Sequence, residues 1–415
     1  MTATPWDIEG KWSVSPYAYS DEIRANMPNL PKKVEMRDVT FREGEHCIGF
    51  KLSTPEKIKL LKFAVEMGIE EIDIGGPSLH PHHLEFCKAV KESGIKVRTT
   101  GRFFTNRTKD YKRDVDLCIE SGSTNIRIIL MKLGEKMVLE QLEALPEMVE
   151  YIHSCGKEVC VGMSDGTRSS IELIDKIYDG IVACGVDKVG IYDTFGVGMP
   201  AVVKYLSERI KSKLRPGMDF ECHMHNTYGL GTANSLACVE GGCNSVDTAI
   251  NGYGDEAGNA SLEEVAVDLE AMYGIDTGLK LEMLKKYSEL AVELSKVPIQ
   301  PHKAIVGENA YLRPKIVWGG MDMSKESWMT HEALSPEAVG AKDYEHVVFG
   351  GTATLEDDPI EMKLKEMGIS YTADDIIKMR NAIEEALKEE RVTRRPRPYV
   401  TEEEFEQMAK KMLGK

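Results

Sequence analysis

The sequence predicts a (β/α)8 barrel followed by a mainly helical C-terminal region. Three observations predict this fold. Short apolar strands alternate with amphipathic helices from Val34 to about Gly274, and each strand–helix unit spans roughly 30 residues, the length of a βα repeat. Glycine follows most of these helices, where a left-handed C-cap is needed. Eight such units are expected to close into a barrel, and an open doubly wound sheet is the alternative.

The elements follow one another in a regular order. The predicted strands are Val34–Asp38, Glu71–Ile74, Lys96–Thr100, Asn125–Leu130, Glu158–Met163, Lys188–Tyr192, Asp219–His223 and Ser245–Ile250. The helices that follow them are Thr54–Met67, His83–Ser93, Lys109–Ser121, Leu139–Cys155, Ser170–Cys184, Pro200–Leu214, Gly229–Glu240 and Leu262–Tyr273. Pro200 fits the first turn of its helix, where a backbone N–H is not needed.

The chain is predicted to contain three regions. Residues 1–33 are an N-terminal extension, residues 34–275 the catalytic barrel, and residues 276–415 helical C-terminal subdomains. The helices predicted after the barrel are Leu279–Val297, Ile360–Gly368, Ala373–Arg391 and Thr401–Lys411. Their charged runs are expected to be solvated faces.

Composition excludes several classes of function. The formal charge of −16 over 415 residues argues against nucleic acid and anionic membranes as partners, because both need a basic surface. No apolar run approaches the roughly 20 residues of a membrane span. The nine cysteines include no C-x-x-C pair, which is typical of proteins in a reducing cytosol. We therefore expect a cytoplasmic protein without nucleic-acid or membrane partners.

Polar residues gather where active sites of such barrels lie, at the C-terminal ends of the strands. Side chains two apart on a strand share a face, so His223 and His225 can bind one divalent ion, or else be two half-buried histidines satisfied by hydrogen bonds. With Asp38 from strand one they form a set of one carboxylate and two imidazoles. This mixed oxygen and nitrogen set suits Mg²⁺, Mn²⁺, Co²⁺ or Zn²⁺ and does not choose among them.

Two other patterns give weaker evidence for a binding site. His80, His82 and His83 surround Pro81, and a solvent-exposed turn is the expected interpretation of this cluster. The Gly252-Tyr253-Gly254 run lacks the surroundings of a nucleotide-binding loop, because no G-x-G-x-x-G follows an early strand.

Four motifs, in order, resemble a known superfamily. They are Arg37-Asp38-Val39-Thr40-Phe41-Arg42-Glu43-Gly44-Glu45, Asp193-Thr194-x-Gly196, His223-x-His225-Asn226 and Gly252-x-Gly254-Asp255-Glu256-x-Gly258-Asn259. The chain is similar to the metal-dependent Claisen-condensing and lyase superfamily, which includes 2-isopropylmalate, homocitrate, citramalate and Re-type citrate synthases and 3-hydroxy-3-methylglutaryl-CoA lyase. The resemblance continues more faintly beyond the barrel, which favours the synthases.

The resemblance implies roles for single residues. Asp38, His223 and His225 would bind the metal, with Asn259 as a further or water-mediated ligand. Arg37 would stabilise an enolate, as a fixed cation beside a developing oxyanion does. The remaining implied residues are Asp73 at the strand-two position where the family usually has Glu, Thr194 as the group that holds the carboxylate of a 2-oxo acid, and Tyr311, His302 or His331 as substitutes for a missing acid–base histidine.

The sequence also departs from the family pattern. Ser164 stands where the synthases usually have Glu, His46 where they have Gln, and the stretch from Tyr311 to Gly320 lacks the His-x-Ser-Gly-x-His acid–base pattern. The loop cysteine of the lyases is missing as well. The chain therefore lacks part of the acid–base residues of the synthases and part of those of the lyases.

Three functions remain open at this point. The first is a condensing synthase that joins an acyl-CoA to a 2-oxo acid, and the second is a metal-dependent lyase or aldolase. The third is a catalytically idle metal-binding or interaction protein. Arg102, Arg127 and Arg168 hint at a second substrate carboxylate. The resemblance further implies a homodimer, in which the C-terminal region covers the barrel mouth of the partner.

Overall fold

A computed structural model describes residues 4–314, 316–317, 321–322, 333–341, 345–349, 357–393 and 399–414. The chain divides into two compact units. The first comprises Met1–Trp6 and Val14–Ile299, and the second comprises Asp7–Ser13 and Gln300–Lys415.

The first unit is built on a closed barrel of eight parallel strands, in which the last strand pairs with the first. The strands are β1 (Glu35–Asp38), β2 (Glu71–Asp73), β3 (Arg98–Phe104), β4 (Asn125–Leu130), β5 (Glu158–Met163), β6 (Lys188–Asp193), β7 (Asp219–Met224) and β8 (Ser245–Thr248). The predicted fold class is thus confirmed. It places the C-terminal ends of all eight strands around one mouth.

Helices cover the barrel after each strand. They are α1 (Thr54–Met67), α2 (Pro81–Ser93), α3 (Tyr111–Ser121), α4 (Glu135–Ser154), α5 (Ile171–Ala183), α6 (Pro200–Lys211), α7 (Gly231–Glu240) and α8 (Leu262–Asp268), which continues into a π-helical turn at Leu269–Tyr273. A ninth helix, α9 (Leu284–Ser295), packs against α1. A short helical turn, Thr40–Glu43, follows β1 directly.

Strand β3 is longer than the sequence suggests. The prediction ended it at Thr100, but its pairing with β4 continues to Phe104 opposite Ile129. Gly101, which directly follows the predicted strand, approaches Cys118 and Ser123 so closely that a side chain there would clash. The longer ladder puts Arg102 on the strand itself, where it is buried.

The second unit is smaller. Its described elements include a hairpin of Asp7–Ile8 and Trp12–Ser13, a three-stranded sheet of Leu312–Pro314, Glu345–Phe349 and Val400–Thr401, and the helices Asp357–Glu366, Ala373–Thr393 and Glu402–Leu413. Ile360, Leu364, Met379, Ile383 and Phe405 form its core, each with no exposed surface. Over the described part of the chain, no helix is both long and apolar enough to cross a bilayer.

A layer of buried charges fills the barrel interior. Arg37 on β1 donates to Asp247 at 2.7 Å and to Glu71 at 3.0 Å, and it also pairs with Glu221. Arg127 on β4 pairs with Glu221 at 2.7 Å and Asp247 at 2.9 Å. All five side chains are at most 1% exposed. Burying ions is costly unless each is paired, so the two arginines and three carboxylates depend on one another.

Replacing Arg37 with Met should destabilise the protein strongly. Three buried carboxylates would lose a shared cation, and breaking such a buried pair costs about 3–5 kcal/mol. The measurement is the free energy of unfolding in urea. Arg209→Met is the matched control, because Arg209 pairs with Asp175 on the partly exposed surface of α6 and should cost about 1 kcal/mol or less. Equal losses in the two variants would contradict this account of the barrel interior.

Candidate active site

A cavity of about 110 Å³ opens at the C-terminal ends of the strands. Its walls combine charged, hydroxyl and apolar side chains. They are Arg42, Glu43, Arg102, Phe104, Arg127, Ile129, Met131, Ser164, Tyr192, Thr194, His223 and His225. The cavity therefore has the composition of a small-molecule site, with a few convergent polar groups set in apolar walls.

His223 is held in one tautomer. Its Nδ1 lies 2.9 Å from Asp247 Oδ2. Burial opposes the charge of Asp247, but Arg127 and Arg37 hold the pKa of this carboxyl well below its usual range. The ionised carboxylate therefore accepts the Nδ1–H of His223, and the lone pair of Nε2 points away from it. Such a carboxylate behind a histidine is the usual support of a metal ligand.

The Nε2 atom of His223 lies close to two other nitrogen atoms. His225 Nε2 and the amide nitrogen of Asn259 each lie 3.2 Å from His223 Nε2. His223 and His225 share a face of the chain, as the sequence predicts. Two imidazoles that bind one ion at about 2.1 Å, roughly at right angles, hold their nitrogens about 3 Å apart. The observed spacing fits that arrangement.

The carboxylate beside the histidines is Glu43. It ends the helical turn Thr40–Glu43 and is fully buried. Glu43 Oε1 lies 3.6 Å from His223 Nε2, and ligand atoms of Glu43, His223 and His225 all lie within 4.8 Å of one another. Within the described residues neither oxygen of Glu43 accepts a hydrogen bond, although its side chain pairs with Arg42. Arg42 and Arg102 thus already supply positive charge to Glu43, and its oxygens keep lone pairs with which to bind a divalent cation.

Asp38, predicted as the carboxylate ligand, is not in this group. Its Oδ1 accepts the N–H of Thr40 at 2.8 Å, and its Oδ2 accepts the hydroxyl of Tyr287. The ring of Tyr287 stacks on Phe63 of α1, so Asp38 points into the helical layer. The cause is strand alternation: Arg37 faces the interior, and its neighbour faces outward.

Arg37, predicted to stabilise an enolate, does not line the cavity. The described ion-pair partners of its side chain all belong to the buried charge layer. Arg42 lies at the cavity instead, beside Glu43. The run Arg42-Glu43 repeats the Arg-acid pattern of Arg37-Asp38 five residues later. Alternation along β1 could have shown that Arg37 and Asp38 do not both face the cavity, since consecutive strand residues point to opposite sides.

The glycine-rich loop brings Asn259 to the histidines. His225 and Asn259 are bridged through their backbones. A side chain at Gly254 would overlap the amide of Asn259, and one at Gly258 would overlap the carbonyl of Gly252. These glycines therefore permit the close approach that brings Asn259 beside His223.

Two of the three predicted substrate-binding residues line the cavity, and the third does not. Arg102 lines the cavity, pairs with Asp73 and lies 3.8 Å from Glu43. Thr194 also lines it and accepts the N–H of Asp165 at 2.8 Å, which leaves its hydroxyl hydrogen for a ligand. Arg168 is half exposed, donates to Asp165 at 2.7 Å and lies over the ring of Phe195. It is not among the cavity residues.

Tyr192 occupies the inner end of the cavity. Its hydroxyl donates to Glu221 Oε1 at 2.9 Å. A side chain at either Gly162 or Gly190, on β5 and β6, would overlap its ring. The ring therefore links the cavity to the buried charge layer through space that two glycines leave open.

The remaining predicted residues lie elsewhere. Tyr311 belongs to the second unit, where it is buried and its hydroxyl donates to the carbonyl of Ile305 at 2.6 Å. His302 lies in an exposed turn of that unit. His331 falls outside the described residues.

The histidines at the start of α2 differ in their exposure. His80 and His82 are exposed, as predicted, whereas His83 is buried. His83 Nδ1 accepts the N–H of Gly76 at 3.2 Å, so its Nε2–H donates to Glu45 at 3.1 Å. His82 Nε2 lies 3.3 Å from the same carboxylate. The hydrogen bonds of His83 are therefore satisfied within the chain.

The sequence pattern of the HMGL-like family matches residues 33–291. The chain belongs to the HMGL-like family. Membership confirms the resemblance seen in the four motifs.

Several synthases are relatives of this HMGL-like chain. It is 31% identical to the 2-isopropylmalate synthase of Methanocaldococcus jannaschii, over 92% of this chain and 74% of that protein. It is 29% identical to the homocitrate synthase of Methanopyrus kandleri, over 93% and 94% of the two chains. The 2-isopropylmalate synthase of Sulfolobus acidocaldarius is 34% identical, over 81% and 86%.

Among solved structures, the HMG-CoA lyase of Bacillus subtilis shares the fold. The TM-score is 0.56 at 20% sequence identity, over 65% of this chain and 96% of that one. At this identity the likeness shows the fold alone.

The metal-free protein should lose stability in mild acid through His225. Burial, followed by the charge of His223, lowers the pKa of His225 from 6.5 to about 3. As the pH falls below about 6.5, the unfolded chain binds a proton that the folded chain refuses, so the folded state is disfavoured. Urea unfolding in EDTA, at pH 7.5 and pH 4.5, should show that His225→Asn loses about 1–2 kcal/mol less on acidification than the wild type. Equal losses would contradict a neutral buried imidazole.

Proposed function

We propose that this protein is a divalent-metal-dependent condensing enzyme. It joins an acyl-CoA, such as acetyl-CoA, to a 2-oxo acid and releases CoA and a 2-hydroxy di- or tricarboxylic acid. The observation that carries the proposal is the group of Glu43, His223 and His225 at the cavity. Family membership and the synthases among the relatives support the reaction class.

Glu43, His223 and His225 would hold the metal, with Asn259 as a further ligand after rotation of its amide. Two imidazoles and a carboxylate suit Mg²⁺, Mn²⁺, Co²⁺ or Zn²⁺. When bound, the ion supplies a Lewis acid that polarises the ketone of the 2-oxo acid. Glu43 takes the place for which the sequence favoured Asp38. Asp38 instead supports the start of the helical turn that carries Glu43.

The arginines and Thr194 supply the other binding groups. Arg42, which pairs with Glu43, would stabilise the negative charge of an enolate. Burial, followed by the charge of Arg127, lowers its pKa to about 10, which leaves it charged at neutral pH. The Thr194 hydroxyl would donate to the carboxylate of the 2-oxo acid. Arg102, oriented by Asp73, would bind a carboxylate as well.

The proton transfers need a group that removes a proton from the acyl-CoA. Tyr311 stays a prediction for this role. The predicted homodimer, with a C-terminal region over the barrel mouth, likewise stays a prediction.

A metal-dependent lyase or aldolase, which cleaves a 3-hydroxy acyl-CoA or a hydroxy-oxo acid, is the second candidate. Ser164 favours it, because the synthases usually have Glu at this position. Ser164 lines the cavity, and its hydroxyl accepts the N–H of Lys132 at 2.9 Å. Bond cleavage without thiol release would decide for this candidate.

Release of CoA thiol should require both a metal and one particular 2-oxo acid. The assay supplies Mg²⁺ or Mn²⁺, acetyl-CoA and, one at a time, pyruvate, 2-oxoisovalerate, oxaloacetate, 2-oxoglutarate and glyoxylate. His223→Ala should abolish release, because it removes a ligand. His153→Ala should not, because His153 lies on the surface beside Asp187. Silence across the panel in a metal-loaded protein would reject the synthase with acetyl-CoA and turn attention to cleavage.

Two carboxylate variants test the revised ligand set. Glu43→Gln should weaken Mn²⁺ binding at least about tenfold, because it removes a negative ligand. Asp38→Asn should weaken it much less, because Asp38 faces Tyr287 and the helical layer. Isothermal titration with Mn²⁺ measures both affinities, and circular dichroism checks that both variants fold. The opposite order of the two effects would restore Asp38 as the ligand.

A further inference from the structure

Three cysteines converge on the outer side of strand β7. Cys222 belongs to β7, Cys238 to α7 and Cys243 to the connection before β8. Their sulfur atoms all lie within 4.8 Å of one another, and none of the three side chains is exposed. They form the cysteine triad of the first unit.

Local geometry holds the triad together. His223 faces the cavity, so its strand neighbour Cys222 faces the opposite way, beneath α7. The tight turn at Gly241 and Gly242 then returns the chain, and the N–H of Cys243 donates to the carbonyl of Cys238 at 3.0 Å. A side chain at Gly241 would overlap Ser207. The turn thus brings the sulfurs of Cys238 and Cys243 close to the sulfur of Cys222.

The chemistry of the triad differs from ordinary core packing. Three sulfurs are the only ligating atoms in the group, and the hydroxyl of Ser207 donates to the sulfur of Cys238 at 3.4 Å. This donor suits a sulfur that carries negative charge. Cys118 is equally buried, yet within the described residues it belongs to no such group.

The spacing of the sulfurs suits a thiophilic ion. Zinc lies about 2.3 Å from cysteine sulfur, and three sulfurs at that distance are about 3.8–4.0 Å apart, within the observed limit of 4.8 Å. Thiolates select Zn²⁺ and Cu⁺ over hard cations such as Mg²⁺. The thiols must lose protons to water as the ion binds.

We propose that Cys222, Cys238 and Cys243 bind one thiophilic cation, of the Zn²⁺ or Cu⁺ class, at a site separate from the cavity. The ion ties α7 and the turn after it to the back of β7, the strand whose inner face carries His223. Its role is structural, since none of the three side chains is exposed to solvent. The proposal stands whether or not the enzyme condenses acyl-CoA.

Cobalt distinguishes this site from the cavity. Protein from cells grown with Co²⁺ should show thiolate-to-cobalt charge-transfer absorption with one equivalent bound through sulfur. The cavity group contains no sulfur, so His223→Ala/His225→Ala should keep the absorption in full. The double variant Cys238→Ser/Cys243→Ala should lose it, and Cys118→Ala should keep it. A folded wild type with bound cobalt but no sulfur absorption would overturn the proposal.

A second measurement needs no variant of the triad to fold. Wild-type protein purified without chelator is titrated with a thiol-specific mercurial in the presence of indicators for zinc and for Cu⁺. We expect one zinc or copper ion to be released as the buried thiols react, beyond any metal that EDTA removes first. Reaction of the thiols without release of either metal would refute the site. An intact mass that shows a disulfide within the triad of freshly purified protein would refute it as well.

Discussion

The closed barrel depends on the ion pairs of two buried arginines. Arg37 and Arg127 reach across the interior to carboxylates on β2, β7 and β8, so strands far apart in sequence are joined by charge. In a medium of low dielectric these attractions are strong, but only as a complete set. The barrel therefore closes around a polar centre, and the apolar residues of the strands serve mainly the contact with the surrounding helices.

Asp247 connects that centre to the cavity. One carboxylate accepts from both arginines and from His223. The same charge that helps close the barrel also fixes which nitrogen of His223 faces Glu43. Fold and site are thus coupled through a single side chain, and a change at Arg37, remote from the cavity, should be felt in the basicity of His223. In this structure the support of the candidate metal group is part of the core.

Much of this could be predicted from local pattern. The strand–helix repeat and its glycines predict the barrel, and alternation in β7 predicts that His223 and His225 share a face. Glu43 was missed because a helical turn after β1, absent from any strand pattern, carries it to the cavity. The partners of Arg37 were missed because they lie on other strands, from 34 to 210 residues away. Local sequence shows that a charge is present but not which distant charge it meets.

The fit of Tyr192 between Gly162 and Gly190 restricts which substitutions this barrel can accept. The ring fills volume that side chains on two strands would otherwise occupy. Exchange of either glycine alone meets the ring, and loss of the ring alone opens a void beneath the cavity and leaves Glu221 with only its two arginine partners. Each single step is disfavoured. Homologues with a differently shaped inner end of the cavity should therefore differ at these three positions together. The three residues, taken as a set, can then be used to group homologues by pocket shape.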